Sequence, residues 1–114
     1  MIYDSAFPPL YPPRQYPPVD PTLFGQSATA AQKLMKDASV ILGKLASSKS
    51  FASNVMSAAQ AGKTKEVQKS IQSLGIQSKV DVYFNPDGIR ITLSPPSGTF
   101  DCCRLAIGLR WIVF

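Results

Sequence analysis

The chain has no histidine, and that single absence removes most of the catalytic repertoire. Ser-His-Asp and Cys-His nucleophiles need an imidazole base, and a zinc site would lack its commonest nitrogen ligand. Acid is scarce as well: seven Asp plus Glu stand against twelve Lys plus Arg in 114 residues. Asp81, Asp87 and Asp101 fall in one region, but Asp87 belongs to a turn and no pair has the spacing of a shared acid/base site. Gly75, Gly88 and Gly98 each close an element, and none sits in a phosphate-cradling loop. No run approaches the ~20 apolar residues that cross a bilayer, and no basic stretch followed by an apolar one marks a signal peptide. These absences predict a chain that is no enzyme, holds no cofactor or metal, spans no membrane and is made in the cytosol. The net charge of +5 favours anionic partners, yet the bases are scattered without a run, which argues against nucleic acid.

What the sequence does have is a crowded beginning. Seven of its ten prolines and three of its four tyrosines lie in the first 21 residues, the tyrosines being Tyr3, Tyr11 and Tyr16. Each proline fixes φ and removes a donor, and the residue before it is pushed toward extended geometry, so neither helix nor internal strand fits here. Residues 1–20 are read as a stiff extended arm whose apolar rings need a groove, on its own domain or on a neighbour. Residues 21–114 are read as one domain, large enough for one core and too small for two.

Asp20-Pro21 opens the domain, Asp as an N-cap and Pro at the first helical position. Apolar and small residues then recur from Phe24 through Ala28, Ala31, Leu34, Met35, Ala38, Ile41, Leu42 and Leu45, opposite Gln32, Lys33, Lys36, Asp37 and Lys44. A second helix is expected from a Ser50 cap, with Phe51, Val55, Met56 and Ala59 inward, and a third from a Thr64 cap, with Val67, Ile71 and Leu74 inward. Gly75 and Ile76 close the third in a Schellman-like turn. The apolar period then falls to two. Val80, Val82 and Phe84 alternate with Asp81 and Tyr83, and Ile89, Ile91 and Leu93 alternate with Arg90 and Thr92. Asn85-Pro86-Asp87-Gly88 between them is a turn, with Gly88 expected to take positive φ. A third run places Cys103, Leu105, Ile107, Leu109 and Trp111 on one face and Cys102, Arg104, Ala106, Gly108 and Arg110 on the other. The pattern predicts helices over about 21–47, 51–61 and 65–74 and strands over about 78–84, 89–94 and 102–112.

Short connections favour an antiparallel meander, so the expected fold is α+β, with three helices covering one face of a three-stranded sheet. The other face would display Asp81, Tyr83, Arg90, Thr92, Arg104 and Arg110 to water or to an acidic partner. Two strand edges remain, and the apolar end Trp111-Ile112-Val113-Phe114 is a candidate for pairing with another subunit. Strand alternation sends Cys102 and Cys103 to opposite faces, which disfavours a bond between them and leaves two reduced thiols, Cys103 buried and Cys102 outside near Arg90, Arg104 or Arg110. An exposed Cys102 could then cross-link neighbours in an oxidising assembly.

Several segments together carry a resemblance: Pro12-Pro13-Arg14-Gln15-Tyr16-Pro17-Pro18-Val19-Asp20-Pro21-Thr22-Leu23-Phe24, Leu34-Met35-Lys36-Asp37-Ala38, Met56-Ser57-Ala58-Ala59-Gln60-Ala61, Asn85-Pro86-Asp87-Gly88-Ile89 and Asp101-Cys102-Cys103. With them the chain resembles a family of small proteins from endospore-forming bacilli that are grouped with inner spore-coat components and have no established biochemical activity. The resemblance implies a structural role and a place in the spore coat, and it supplies no catalytic residues. The apolar end at Ile112-Val113-Phe114 is longer than the family pattern leads one to expect. The leading expectation is a structural protein that self-associates, or docks on other coat proteins, through its arm or its free strand edge. Tyr3, Tyr11, Tyr16, Cys102 and Trp111 are its candidate contacts. The alternative is a module holding an acidic polymer or protein on Arg90, Arg104 and Arg110, and a third reading is a redox-active thiol protein centred on Cys102.

Overall fold

Three helices lead and three strands follow in the computed structural model, which describes residues 20–112. The arm and its tyrosines, like Val113 and Phe114, lie outside the described residues. Helix α1 spans Pro21–Ser47; the Asp20 carboxylate accepts the Thr22 backbone N–H at 3.0 Å, and Pro21 takes the first helical position, where no amide bond is forfeited. Ser48 alone joins it to α2, Lys49–Gln60. In an extended conformation, Ser48 donates its N–H to the Lys44 carbonyl and accepts the Phe51 N–H on its hydroxyl at 3.2 Å. Ser48, not Ser50, is therefore the cap, because only it has the non-helical backbone that turns its side chain toward the free amides. Helix α3, Thr64–Gln72, begins at the residue expected to cap it: Thr64 is already helical, and Lys63 stands before it without a side-chain cap bond. Gly75 follows in the left-handed region, φ 86°, where it redirects the chain into the sheet.

Strands β1 (Lys79–Asn85), β2 (Gly88–Ser94) and β3 (Leu105–Arg110) form an antiparallel sheet in the order β1-β2-β3. The α+β fold is thus the one the change of period foretells. Asn85 builds the β1–β2 turn by accepting the N–H groups of Asp87 (2.8 Å) and Gly88 (3.1 Å) on its side-chain oxygen. Gly88 is needed for space rather than for positive φ: a Cβ there would run into the Leu109 carbonyl oxygen on β3.

The core lies between the layers. Leu34, Ala38 and Ile41 of α1, Val55 and Ala59 of α2, and Val67 and Ile71 of α3 pack on Val80, Ile89, Ile91 and Leu93. Phe24, Met35 and Leu42, which belong to the apolar stripe of the sequence, remain exposed. At 27 residues α1 is about 40 Å long, more than the short sheet and its companion helices can cover. A polar tether missed by periodicity fastens α1 to the start of β1. The half-buried Asp37 carboxylate accepts both the backbone N–H (3.0 Å) and the hydroxyl (2.5 Å) of buried Ser78.

Candidate functional site

Among the described residues the sheet has one edge that is guarded at its start and one that is open. Trp111 donates its N–H to the Asp87 carbonyl, which fixes the phase of the β2–β3 ladder: Leu105, Ile107 and Leu109 bond to β2, while the N–H and C=O groups of Ala106, Gly108 and Arg110 point outward. The same phase sends the backbone groups of Val80, Val82 and Phe84 outward from β1. Along β1, helix α3 meets the exposed carbonyls with side-chain amides, Gln68 to Val80 at 3.3 Å and Gln72 to Ser78 at 3.4 Å. No side-chain hydrogen bond of this kind reaches β3 among the described residues. Two of its three outward positions carry the smallest side chains available, Ala106 and Gly108, so nothing bulky screens the edge.

The solvent face of the sheet is built by the register Tyr83–Arg90–Gly108, flanked by Asp81–Thr92–Ala106 on one side and Asn85–Gly88–Arg110 on the other. The Arg90 guanidinium sits 5.1 Å from the centre of the Tyr83 ring, a cation–π contact between cross-strand neighbours. Tyr83, Arg90, Gly108 and Arg110 border one shallow depression. Arg104 does not join them. It precedes β3 and pairs with Asp101 at 3.0 Å, both side chains mostly exposed. The basic platform therefore keeps two of its three expected arginines.

The end of the chain also departs from the strand pattern. β3 stops at Arg110, and Trp111 folds against the hairpin, its indole N–H donating to the Pro86 carbonyl at 2.9 Å. Trp111 and Ile112 are thus anchored to the β1–β2 turn, both backbone N–H groups donating to the Asp87 carbonyl, instead of continuing the strand. At the other end of β3, residues 101–104 are not strand. Without alternation, Cys102 and Cys103 are not sent to opposite faces, and their sulfurs come together as a vicinal disulfide pair. Among the described residues no cysteine stands apart from this pair, and the two lie side by side instead of on opposite faces as alternation leads one to expect. Cys103 does pack on the core, as its parity suggests. The Asp20 carboxyl, far from the sheet in sequence, is held below its ordinary value by the Thr22 backbone N–H that it caps. The described residues contain no cluster of acid, cysteine or histidine able to hold a metal, and no helix long and apolar enough to cross a membrane.

An open edge and an exposed platform describe a surface for contact, and comparison with known proteins agrees with the motifs of the sequence. The family model described as YuzC spore coat inner layer protein matches residues 21–104, from the first residue of α1 to the residue before β3. A protein of Bacillus subtilis (strain 168) named "Uncharacterized protein YuzC" is 33% identical over 88 residues, covering 77% of this chain and 68% of the relative. No solved structure matches. The chain belongs to the YuzC family of spore coat inner layer proteins, and the spore coat is accordingly its place.

Proposed function

We propose that the protein is a non-enzymatic building block of the inner spore coat that joins its neighbours by strand pairing along β3. The observation that carries this reading is the contrast between the two edges: α3 caps the start of the β1 edge, Gln68 on the Val80 carbonyl and Gln72 on that of Ser78 just before the strand, whereas among the described residues no side chain caps the outward backbone groups of Ala106, Gly108 and Arg110 on β3. An uncovered edge is a template for another strand, and natural sheets that must stay single blunt it with charge, proline or a covering element. In β3 the sole charge at an outward position is Arg110, at its end. A second copy of the same strand, placed antiparallel about a two-fold axis, would continue the sheet to six strands. A strand of another coat protein fits the same edge by β-augmentation.

The experiment is sedimentation velocity over a hundredfold range of concentration, on the wild-type chain and on Ala106→Lys. Lysine at an outward position of an edge strand leaves the β2–β3 bonds intact and disfavours a neighbour. The expected result is association by the wild type and a monomer for Ala106→Lys at an unchanged melting temperature. A wild type that stays monomeric alone and in mixture with coat extract, or a variant that associates equally well, contradicts the reading.

A second reading keeps the sheet face as a holder of an acidic polymer or protein, supported by the Arg90–Tyr83 stack and the adjacent Arg110. Retention on an anionic matrix that disappears by about 0.1–0.2 M salt, and is weakened by Arg90→Ala, would favour it over strand pairing, because exposed charge contacts are screened within about 10 Å at that ionic strength.

A further inference from the structure

A groove of 620 Å³ runs along the N-terminal half of α1 and is walled on its far side by the β2–β3 loop. Ala30, Leu34, Pro95 and Phe100 give it carbon surface, and Lys33 and Gln77 add polar groups. The loop wall is braced from within. Thr99 donates its N–H (3.2 Å) and its hydroxyl (2.5 Å) to the Pro96 carbonyl, and Cys102 donates its N–H to the Phe100 carbonyl at 3.0 Å. Phe100 is thereby held in place with 60% of its surface open. A preformed groove lined by an aromatic ring and prolines is the kind of surface that receives a polyproline II segment, which comes already extended and loses little entropy on docking.

We infer that this groove holds the chain's own arm, with residues 8–13 lying along α1 antiparallel to the helix. Three observations support that occupant. The arm joins the domain at Asp20, and the groove begins at Gln26 on the same helix, less than two turns away. The lengths also agree. From Asp20 the groove lies between about 9 Å (Gln26) and about 25 Å (Asp37) along the helix axis. After a reversal of about four residues that brings residue 16 level with the start of the helix, a polyproline II segment rising about 3.1 Å per residue places residues 13 back to 8 over that interval. Those residues read Pro8-Pro9-Leu10-Tyr11-Pro12-Pro13, and they supply prolines and a ring where the groove offers a ring and prolines in return. Attachment through so short a link gives the arm an effective concentration in the millimolar range, which a separate molecule does not match in dilute solution. The groove lies between α1 and the loop, so this docking leaves the outward groups of β3 free and stands apart from the strand-pairing reading.

Arg14-Gln15 is a tryptic site directly beside that segment, close enough that a protease must draw residues of the segment out of the groove to bind it, and it has no proline to block it. Release of the fragment 1–14 under limiting trypsin, followed by mass spectrometry, is compared among the full wild-type chain, full-length Ala30→Glu, full-length Phe100→Ala, and a free peptide of residues 1–20. The expected wild-type rate is about tenfold or more below that of the free peptide, because a docked site is cut only from its opened state. Both variants should approach the peptide's rate while keeping their melting temperatures, and the wild-type rate constant should not change on tenfold dilution. Wild-type cleavage as fast as the peptide's overturns the inference, as do variants cut as slowly as the wild type. Protection that fades on dilution means that the groove holds the arm of another copy, and overturns docking in cis. Sedimentation of the same variants reports separately on the β3 edge.

Discussion

Asp37→Ala is expected to cost far more than an alanine substitution on the polar side of a helix normally does. Ser78 is only 4% exposed, and it stands where the chain enters β1. Its N–H and its hydroxyl both donate to one Asp37 carboxylate oxygen, and its carbonyl accepts from Gln72 at 3.4 Å, so a single buried residue links α1, α3 and the sheet. Hydrogen bonds to a charged acceptor contribute about 1.5–3 kcal/mol each, and a buried donor left without a partner costs about 1–3 kcal/mol. The two bonds share one acceptor and do not add fully, so a loss of about 3 kcal/mol follows. In a domain of this size that corresponds to a fall in melting temperature of roughly 12–24 °C. Asp37→Asn keeps an oxygen for one donor and should lose about half as much; Ser78→Ala removes the hydroxyl alone and should lose about 1 kcal/mol. Urea unfolding with a common slope for all four proteins gives the values. A loss below about 0.5 kcal/mol for Asp37→Ala, the ordinary range for an exposed helix position, would refute the argument that the carboxylate is a tether.

Gly88→Ala should destabilise by about 1–3 kcal/mol, since β3 must move away from the added methyl; guanidinium unfolding checks this, and an unchanged midpoint contradicts the close approach to Leu109. Trp111→Phe keeps the packing and loses the indole bond to Pro86, for an expected cost of about 0.5–1.5 kcal/mol by urea unfolding. The Asp20 carboxyl is held below its ordinary value of 3.8 by the Thr22 backbone N–H. A lowered folded-state pKa means that the contribution is present above 3.8 and is lost as pH falls below it through the folded value. Wild-type helicity at the start of α1 should therefore decline in that acid range while Asp20→Asn, which caps without titrating, should not. Amide shifts of Thr22 and Leu23 followed by NMR would show the difference, and parallel acid curves for both proteins would count against it.

The fold was legible because its signals are local. The Asp20-Pro21 start, the 3.6-residue period of α1 and the Asn85-Pro86-Asp87-Gly88 turn each act over a few residues, and each appears in the structure. What the sequence concealed depends on contacts between distant parts. Nothing in its neighbourhood distinguishes Asp37 from the other polar residues of α1, because its partner lies 41 residues away. Parity alone continued β3 back through Cys102 and Arg104, yet the strand begins at Leu105, where pairing with Leu93 begins, and the preceding residues are free to bring the two sulfurs together. Alternation likewise ran on through Trp111, whose indole instead finds the Pro86 carbonyl across the hairpin. Gly88 was recognised as indispensable for the wrong reason, since its neighbour on β3 is invisible to a turn motif. The open edge lay between these cases. Small residues at Ala106 and Gly108 are plain in the sequence, but that Gln68 and Gln72 cap the start of the opposite edge is known only once α3 is seen beside β1.

Hydrogen exchange at the amides of Ala106, Gly108 and Arg110, measured by NMR from dilute to concentrated protein, tests strand pairing most directly. Pairing along β3 predicts that these outward amides exchange as open groups when dilute and become protected together as the mass rises, while those of Leu105, Ile107 and Leu109 are protected throughout. Assembly that proceeds while Ala106, Gly108 and Arg110 continue to exchange freely would contradict it.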